Sequence, residues 1–413
     1  MQEKNVTEIL SELVKIKSIS SDKNHIADVK KSAEFVEKLF LELGLQTKIA
    51  TSGNSRPAVL AQTEINPDRK TVLLYAHHDV QPVGDINKWE TDPFNPEIIN
   101  GRLFGRGSGD NKAGVVIHHE VVKELMKDLP VNIKIFIEGE EEIGSPCMAQ
   151  FLDEFNKELE ADVIVIADSG NIRIGTPTVT TSLRGLVDGF IEVDQPMRPV
   201  HSGVGGGVVP DAFMVLSKII ASFHNEKGEL QIEGLTSSDM DVLELKEEEI
   251  KKIFGSEDIN LFELDSISKR LWLEPALSIL AIDAPSTKEA VNLVIPNAKA
   301  KVSLRLPPTE DPEHAMKMLE EHIMKNVPWG ANVRFIPEAK GSGIVADPNK
   351  EFTKKLVQNF EEVFNTDAAY MGVGGSIPFA NDFVEKFPNA ELVLIGAADE
   401  EMGNAHAPNE SVQ

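Results

Sequence analysis

Apolar positions recur at three- and four-residue spacing from residue 3 to Gly44, a pattern that predicts helix with Gly44 as its C-cap. Short apolar runs at Ala58–Gln62, 71–76, 131–138 and 163–167 predict strands. Helical periodicity returns over 112–129, where Pro130 stops it, and over 151–159. Strands alternating with helices imply an α/β fold with a mainly parallel sheet covered on both faces.

Near residue 178 the pattern changes. Strands are expected at 179–181, 187–193, within 291–306 and at 332–337, with helices over 211–224 and Pro312–Lys325. Between them, residues 226–269 are densely charged, and 244–252 read as a solvated helix face. The α/β character resumes with a helix at Glu351–Phe364, a turn-rich stretch at 372–378 and a strand at 392–395. The expected organisation is a discontinuous α/β domain of residues 1–178 and 342–413, interrupted by an inserted α+β domain of residues 179–341.

At 413 residues the chain exceeds one hydrophobic core, which agrees with two domains. Its net charge of −26 would repel nucleic acid and anionic membranes, and carboxylate-rich clefts would attract cations. A single cysteine, Cys147, rules out an intramolecular disulfide and a cysteine-based zinc site, and it reads as a small buried residue. Residues 1–20 carry acidic groups along an amphipathic helix rather than a secretory leader, and no apolar run approaches the roughly 20 residues of a membrane span. A cytoplasmic protein is expected.

The chemistry gathers where strands end. The segment Tyr75-Ala76-His77-His78-Asp79 closes an apolar strand with imidazoles and a carboxylate. Residues two apart in an extended chain share a face, so Asp79 is placed to orient His77 and raise its basicity. In Gly105-Arg106-Gly107-Ser108-Gly109-Asp110 the glycine spacing does not fit a dinucleotide loop; it fits a tight turn that projects Asp110 before a helix. The run Glu138-Gly139-Glu140-Glu141-Glu142 follows another strand, and such crowded carboxylates need cations to offset their repulsion. Adjacent glutamates also permit one to bind metal while its neighbour moves a proton. Asp168 ends the strand 163–167, and His406 lies near the C-terminus. His77, Asp110, Glu142, Asp168 and His406 offer nitrogen and oxygen without sulfur, a set suited to two divalent ions, zinc first and manganese or cobalt as alternatives.

In this order the motifs Tyr-Ala-His-His-Asp-Val-Gln-Pro, Gly-Arg-Gly-Ser-Gly-Asp-Asn-Lys and Glu-Gly-Glu-Glu-Glu-Ile-Gly-Ser resemble the M20 metallopeptidase family. His201-Ser202-Gly203 and Gly374-Gly375-Ser376-Ile377-Pro378 extend the resemblance over nearly the whole chain. It implies that His77 and Asp168 hold one ion, Glu142 and His406 the other, and that Asp110 bridges them. It further implies that Asp79 orients His77, that Glu141 is the general base and later the acid, and that His78 is not a ligand. In such proteins the inserted domain is a lid that mediates homodimerisation, and His201 would stabilise an oxyanion in the partner subunit's site.

Asp168, Ser303-Leu304-Arg305-Leu306-Pro307 and Leu271-Trp272-Leu273-Glu274-Pro275 resemble the carnosinase and cytosolic non-specific dipeptidase subgroup. By that resemblance Arg305 grips the carboxylate of a small peptide substrate, assisted by Gly375 and Ser376. The expected activity is hydrolysis of dipeptides. The rivals are an N-acyl amino acid deacylase of the acetylornithine or succinyl-diaminopimelate type and a non-catalytic protein on a retired hydrolase fold. This sequence ends at Gln413, where the family usually continues into a terminal helix, so weaker anchoring is expected around His406.

Overall fold

The computed structural model describes residues 5–375 and 378–413. A nine-stranded sheet forms the larger body, and its centre is parallel: Asn132–Glu138, Thr71–His77, Val163–Ile166 and Glu391–Leu394 lie side by side. Antiparallel strands extend both edges, Gln46–Ala50 and Ala58–Gln62 on one side, Thr178–Leu183 and Ile344–Val345 on the other. Alternation sorts the strand side chains. Val72, Leu74, Ala76, Ile133, Ile135 and Ile137 face one core with Val36, Phe40 and Val116. Leu73, Tyr75 and Phe136 face the other, with Phe151, Phe379 and Phe383. Helices thus cover both faces, as a buried parallel sheet requires.

The helical pattern of residues 3–44 is broken in the structure. Val6–Val14 and Ile26–Glu42 are separate helices joined through the short 3₁₀ turn Lys23–His25. The break has a local cause: Asp22 accepts the N–H of Asn24 and starts a new turn. It also serves the sheet, because Ser18 Oγ donates to the His78 carbonyl at 2.7 Å and Val80 N–H donates to Ser18 O. The helix expected over 151–159 is likewise two pieces, Met148–Glu154 and Asn156–Leu159.

A second sheet, in the order Ala276–Asp283, Asn297–Leu306, Gly185–Asp194, Val333–Gly341, is wholly antiparallel. The helices Ala212–Ala221 and Pro312–Lys325 cover one face of it. The strand Thr178–Leu183 belongs to the larger sheet, so the second sheet begins only at Gly185. Ala276–Asp283 escapes the sequence pattern because it is an edge strand with most positions exposed, which leaves no apolar alternation to read. The charged stretch also holds more than a solvated helix. Leu245, Ile250, Trp272 and Leu273 pack against Ile172 and Met371 of the larger body.

Candidate metal centre

The parallel strands deliver their chemistry at their carboxyl ends, where open α/β sheets form sites. His77 closes its strand directly opposite Glu138, and Asp168 lies two residues beyond Ile166. Gly139 permits the neighbouring strand to pass, since a Cβ there would sit 2.4 Å from Pro57 O and 2.9 Å from the His78 ring. Asp110 arrives on the glycine loop before the helix Lys112–Leu125. Gly107, at φ +82, takes the left-handed turn, and a Cβ there would meet Val80 at 2.4 Å.

His77 and Asp110 meet at 3.1 Å, Nε2 to Oδ1, and Asp168 Oδ1 lies 3.3 Å from the same nitrogen. The other oxygen of Asp110 lies 2.9 Å from His406 Nε2, which is 3.1 Å from Glu142 Oε2. Among the described residues two groups of donors could therefore hold an ion, His77–Asp110–Asp168 and Asp110–Glu142–His406, and they share one carboxylate. Around them stand orienting groups. Asp79 sits beside His77 Nδ1 and accepts the backbone N–H of Glu141 at 3.3 Å and of Glu142 at 3.1 Å. Asn111 Nδ2 donates to Asp168 Oδ1 at 2.8 Å, and Gln81 N–H donates to Glu142 Oε1 at 3.1 Å. Asn111 and Gln81 lie inside the quoted motifs, so their amides next to ligand-type residues were a readable signal.

Burial pushes Glu141 up to about 9, with the charges of Asp168, Glu142 and Asp110 adding to it against the opposing pull of His77. Burial likewise raises Asp168 to about 6. His406 rises to about 10 through its bonds to Asp110 and Glu142. For His77 burial pulls downward, but Asp168, Asp110 and Asp79 together hold the ring well above its ordinary range. The pocket is thus an anionic cage that binds protons tightly, and bound cations would take their place.

The four glutamates of 138–142 divide. Glu138 accepts the Tyr75 hydroxyl at 2.5 Å, and Glu140 accepts the N–H groups of Arg56 and Cys147. Glu141 Oε2 lies 3.9 Å from His77 Nε2, and Glu142 faces His406. His78 is wholly buried with Nε2 2.9 Å from Pro57 O, and burial lowers its pKa to about 4. Cys147 is half-buried rather than buried, because its backbone opens the helix Met148–Glu154 near the surface.

His201 is exposed, its Nδ1 accepts the Gly203 N–H, and no hydrogen bond or ion pair among the described residues joins it to the metal-site groups. Arg305 is half-buried on the strand Asn297–Leu306, where it opposes Leu186, and Gly375 is exposed. Ser376 lies outside the described residues. A recess of about 900 Å³ lined by Val121, Leu125 and Phe360 contains none of the five ligand-type side chains. Among the described residues no helix is long and apolar enough to cross a membrane.

The profile of the peptidase family M20/M25/M40 matches residues 73–413. A cysteinylglycine-S-conjugate dipeptidase of Corynebacterium striatum is 32% identical over 98% of this chain and 90% of its own length. The crystal structure of human carnosine dipeptidase 1 superposes with a TM-score of 0.80 at 25% identity, covering 98% of this chain and 91% of that one. An M20 metallo-carboxypeptidase of Sulfolobus solfataricus superposes with a TM-score of 0.78 at 28% identity, over 99% and 95% of the two chains.

Proposed function

The chain belongs to the peptidase family M20/M25/M40, and we propose that it works as a metal-dependent dipeptidase whose centre holds two divalent ions. His77 and Asp168 would hold one ion, Glu142 and His406 the other, and Asp110 both. The observation that carries this reading is Asp110, with one oxygen 3.1 Å from His77 and the other 2.9 Å from His406. Imidazole nitrogen and carboxylate oxygen suit zinc first, manganese or cobalt second. When bound, the ions polarise the scissile carbonyl and acidify a water.

The chain's own residues do the rest. Glu141, at the edge of the cluster, takes a proton from the attacking water and returns it to the amine nitrogen as the C–N bond breaks. Burial and neighbouring carboxylates favour the protonated form of Glu141 in the metal-free chain, and bound cations would offset them and free the carboxylate to act as the base. Asp79 fixes the His77 tautomer with Nε2 directed at the ion, and its bonds to the Glu141 and Glu142 backbone hold the base and a ligand in register. Arg305 takes the substrate's terminal carboxylate with its planar fork, with backbone N–H groups at Gly375 and the side chain of Ser376 assisting.

Residues 179–341 act in this reading as a lid and dimerisation domain. The exposed edge strand Ala276–Asp283, which turns Leu280 and Ile282 outward, supports pairing with a second copy. His201 would then act in the site of that copy, a role that its exposure supports. The acidic composition and single cysteine support a cytoplasmic setting.

Among dipeptides, cysteinylglycine-type substrates are the first candidates, given the Corynebacterium relative. The test compares kcat/KM for cysteinylglycine and other free dipeptides with that for their N-acetylated counterparts. Free dipeptides should be the better substrates, and faster turnover of the acylated compounds would replace this reading with a deacylase.

A further inference from the structure

Glu410 has no solvent exposure, yet it carries a carboxylate in a loop four residues past His406. Its oxygens are fully used. Oε1 accepts the N–H groups of Gly109 and Asp110, each at 3.0 Å. Oε2 accepts Gly107 N–H at 2.9 Å and Arg106 Nη1 at 2.6 Å. The backbone joins in, since Gly105 N–H donates to Glu410 O at 2.9 Å. Arg106, itself 1% exposed, also donates to Pro82 O and Ala407 O.

One side chain therefore clamps the whole loop 105–110 to the segment that carries His406. The geometry matters because Asp110 and His406 must face each other to form the second pocket, and His406 is poorly held otherwise. Its ring is 56% exposed, and the side-chain partners it has are Asp110 and Glu142. The first pocket shares Asp110, but its other two members, buried His77 and Asp168, are held by Asp79 and Asn111, outside this clamp.

We propose that Glu410 is a positioning residue that sets the second metal pocket, by holding the Asp110 loop and the His406 segment in one register. The inference rests on the two-ion reading above. It makes no contact with substrate and acts only through Asp110 and His406.

The test is zinc stoichiometry and affinity, measured by competition with a chelator on metal-free full-length protein, together with the visible spectrum of the cobalt-loaded form. In Glu410→Gln the single amide oxygen can keep only one of the two donor pairs and the NH2 faces the other, and in Glu410→Asp the shorter side chain cannot span Gly107 and Asp110. Either variant should lose 10–100-fold in affinity for the second ion, the usual range for groups that orient ligands, and weaken the first, which depends on the clamped loop through Asp110 alone, by less. Excess zinc should restore kcat with KM unchanged. Arg102→Met serves as the control: it breaks the buried 2.7 Å ion pair with Asp399 and the bonds to Ser411 beside Glu410, but removes no bond that the Glu410 carboxylate makes to the Asp110 loop. It should lower thermal stability while both ions remain. Equal weakening of both ions by the Glu410 variants, no weakening at all, or loss of the second ion in Arg102→Met would each overturn the proposal. Failure of the wild-type protein to bind a second ion would instead defeat the two-ion reading.

Discussion

The Nδ1 atom of His77 lies 3.3 Å from Oδ1 of Asp79, and neither side chain is exposed to solvent. The pair fixes which imidazole nitrogen is free to bind a cation, and the same carboxylate holds the backbone of Glu141 and Glu142. Asp79→Asn keeps the volume but removes the charge and one acceptor. It should weaken the first ion about 10–100-fold and lower kcat with it, while the fold survives. Chelator competition checks this, and unchanged affinity would show that Asp79 is only structural.

The adjacent histidines should separate cleanly. His77→Ala is expected to abolish uptake of the first ion and activity. His78, buried against Pro57 O and kept neutral by burial, should leave metal content intact when changed to alanine. Its cost belongs to folding, roughly 2–4 kcal/mol for a filled site and a lost hydrogen bond. Metal analysis and denaturant unfolding of both variants decide this.

Glu141→Gln retains shape but cannot carry the proton. It should lower kcat by about 10²–10⁴-fold with metal stoichiometry and KM little changed. Loss of metal in this variant would make Glu141 a ligand rather than the base.

Glu138 predicts a pH dependence in the metal-free protein. Burial raises it to about 8 from an ordinary 4.5, against the opposing pull of the hydroxyl that Tyr75 donates, so the folded state favours its protonated form. Its contribution to stability is complete below about pH 4.5 and declines as pH rises through about 8. Glu138→Gln, a mimic of the protonated acid, should reduce the slope of stability against pH across that window by up to about 1.4 kcal/mol per unit. An unaltered slope would place the titration elsewhere.

Much of this centre was readable because parallel strands end at a site. Alternation brings His77 out opposite Glu138, and the apolar run before Asp168 ends at the same edge. The division of labour among Glu138, Glu140, Glu141 and Glu142 was not readable from spacing. The strand period ends at Glu138, and the 3₁₀ turn Glu141–Ile143 then sends each carboxylate a different way. The break at Ser18 was hidden for a similar reason: helical periodicity continues past it, and the bond to His78 O that fixes it is sixty residues distant. The expected looseness near His406 is countered by the strand Ser411–Val412 pairing with Arg102–Phe104 and by Glu410, contacts made across some three hundred residues.

Two ions sharing Asp110 should support dipeptide hydrolysis. Titrating the metal-free protein with zinc, and separately manganese and cobalt, while following cysteinylglycine hydrolysis tests it most directly. Activity should reach its plateau only at two equivalents of ion per chain. Full activity at one equivalent, or none with any of the three metals, would contradict it.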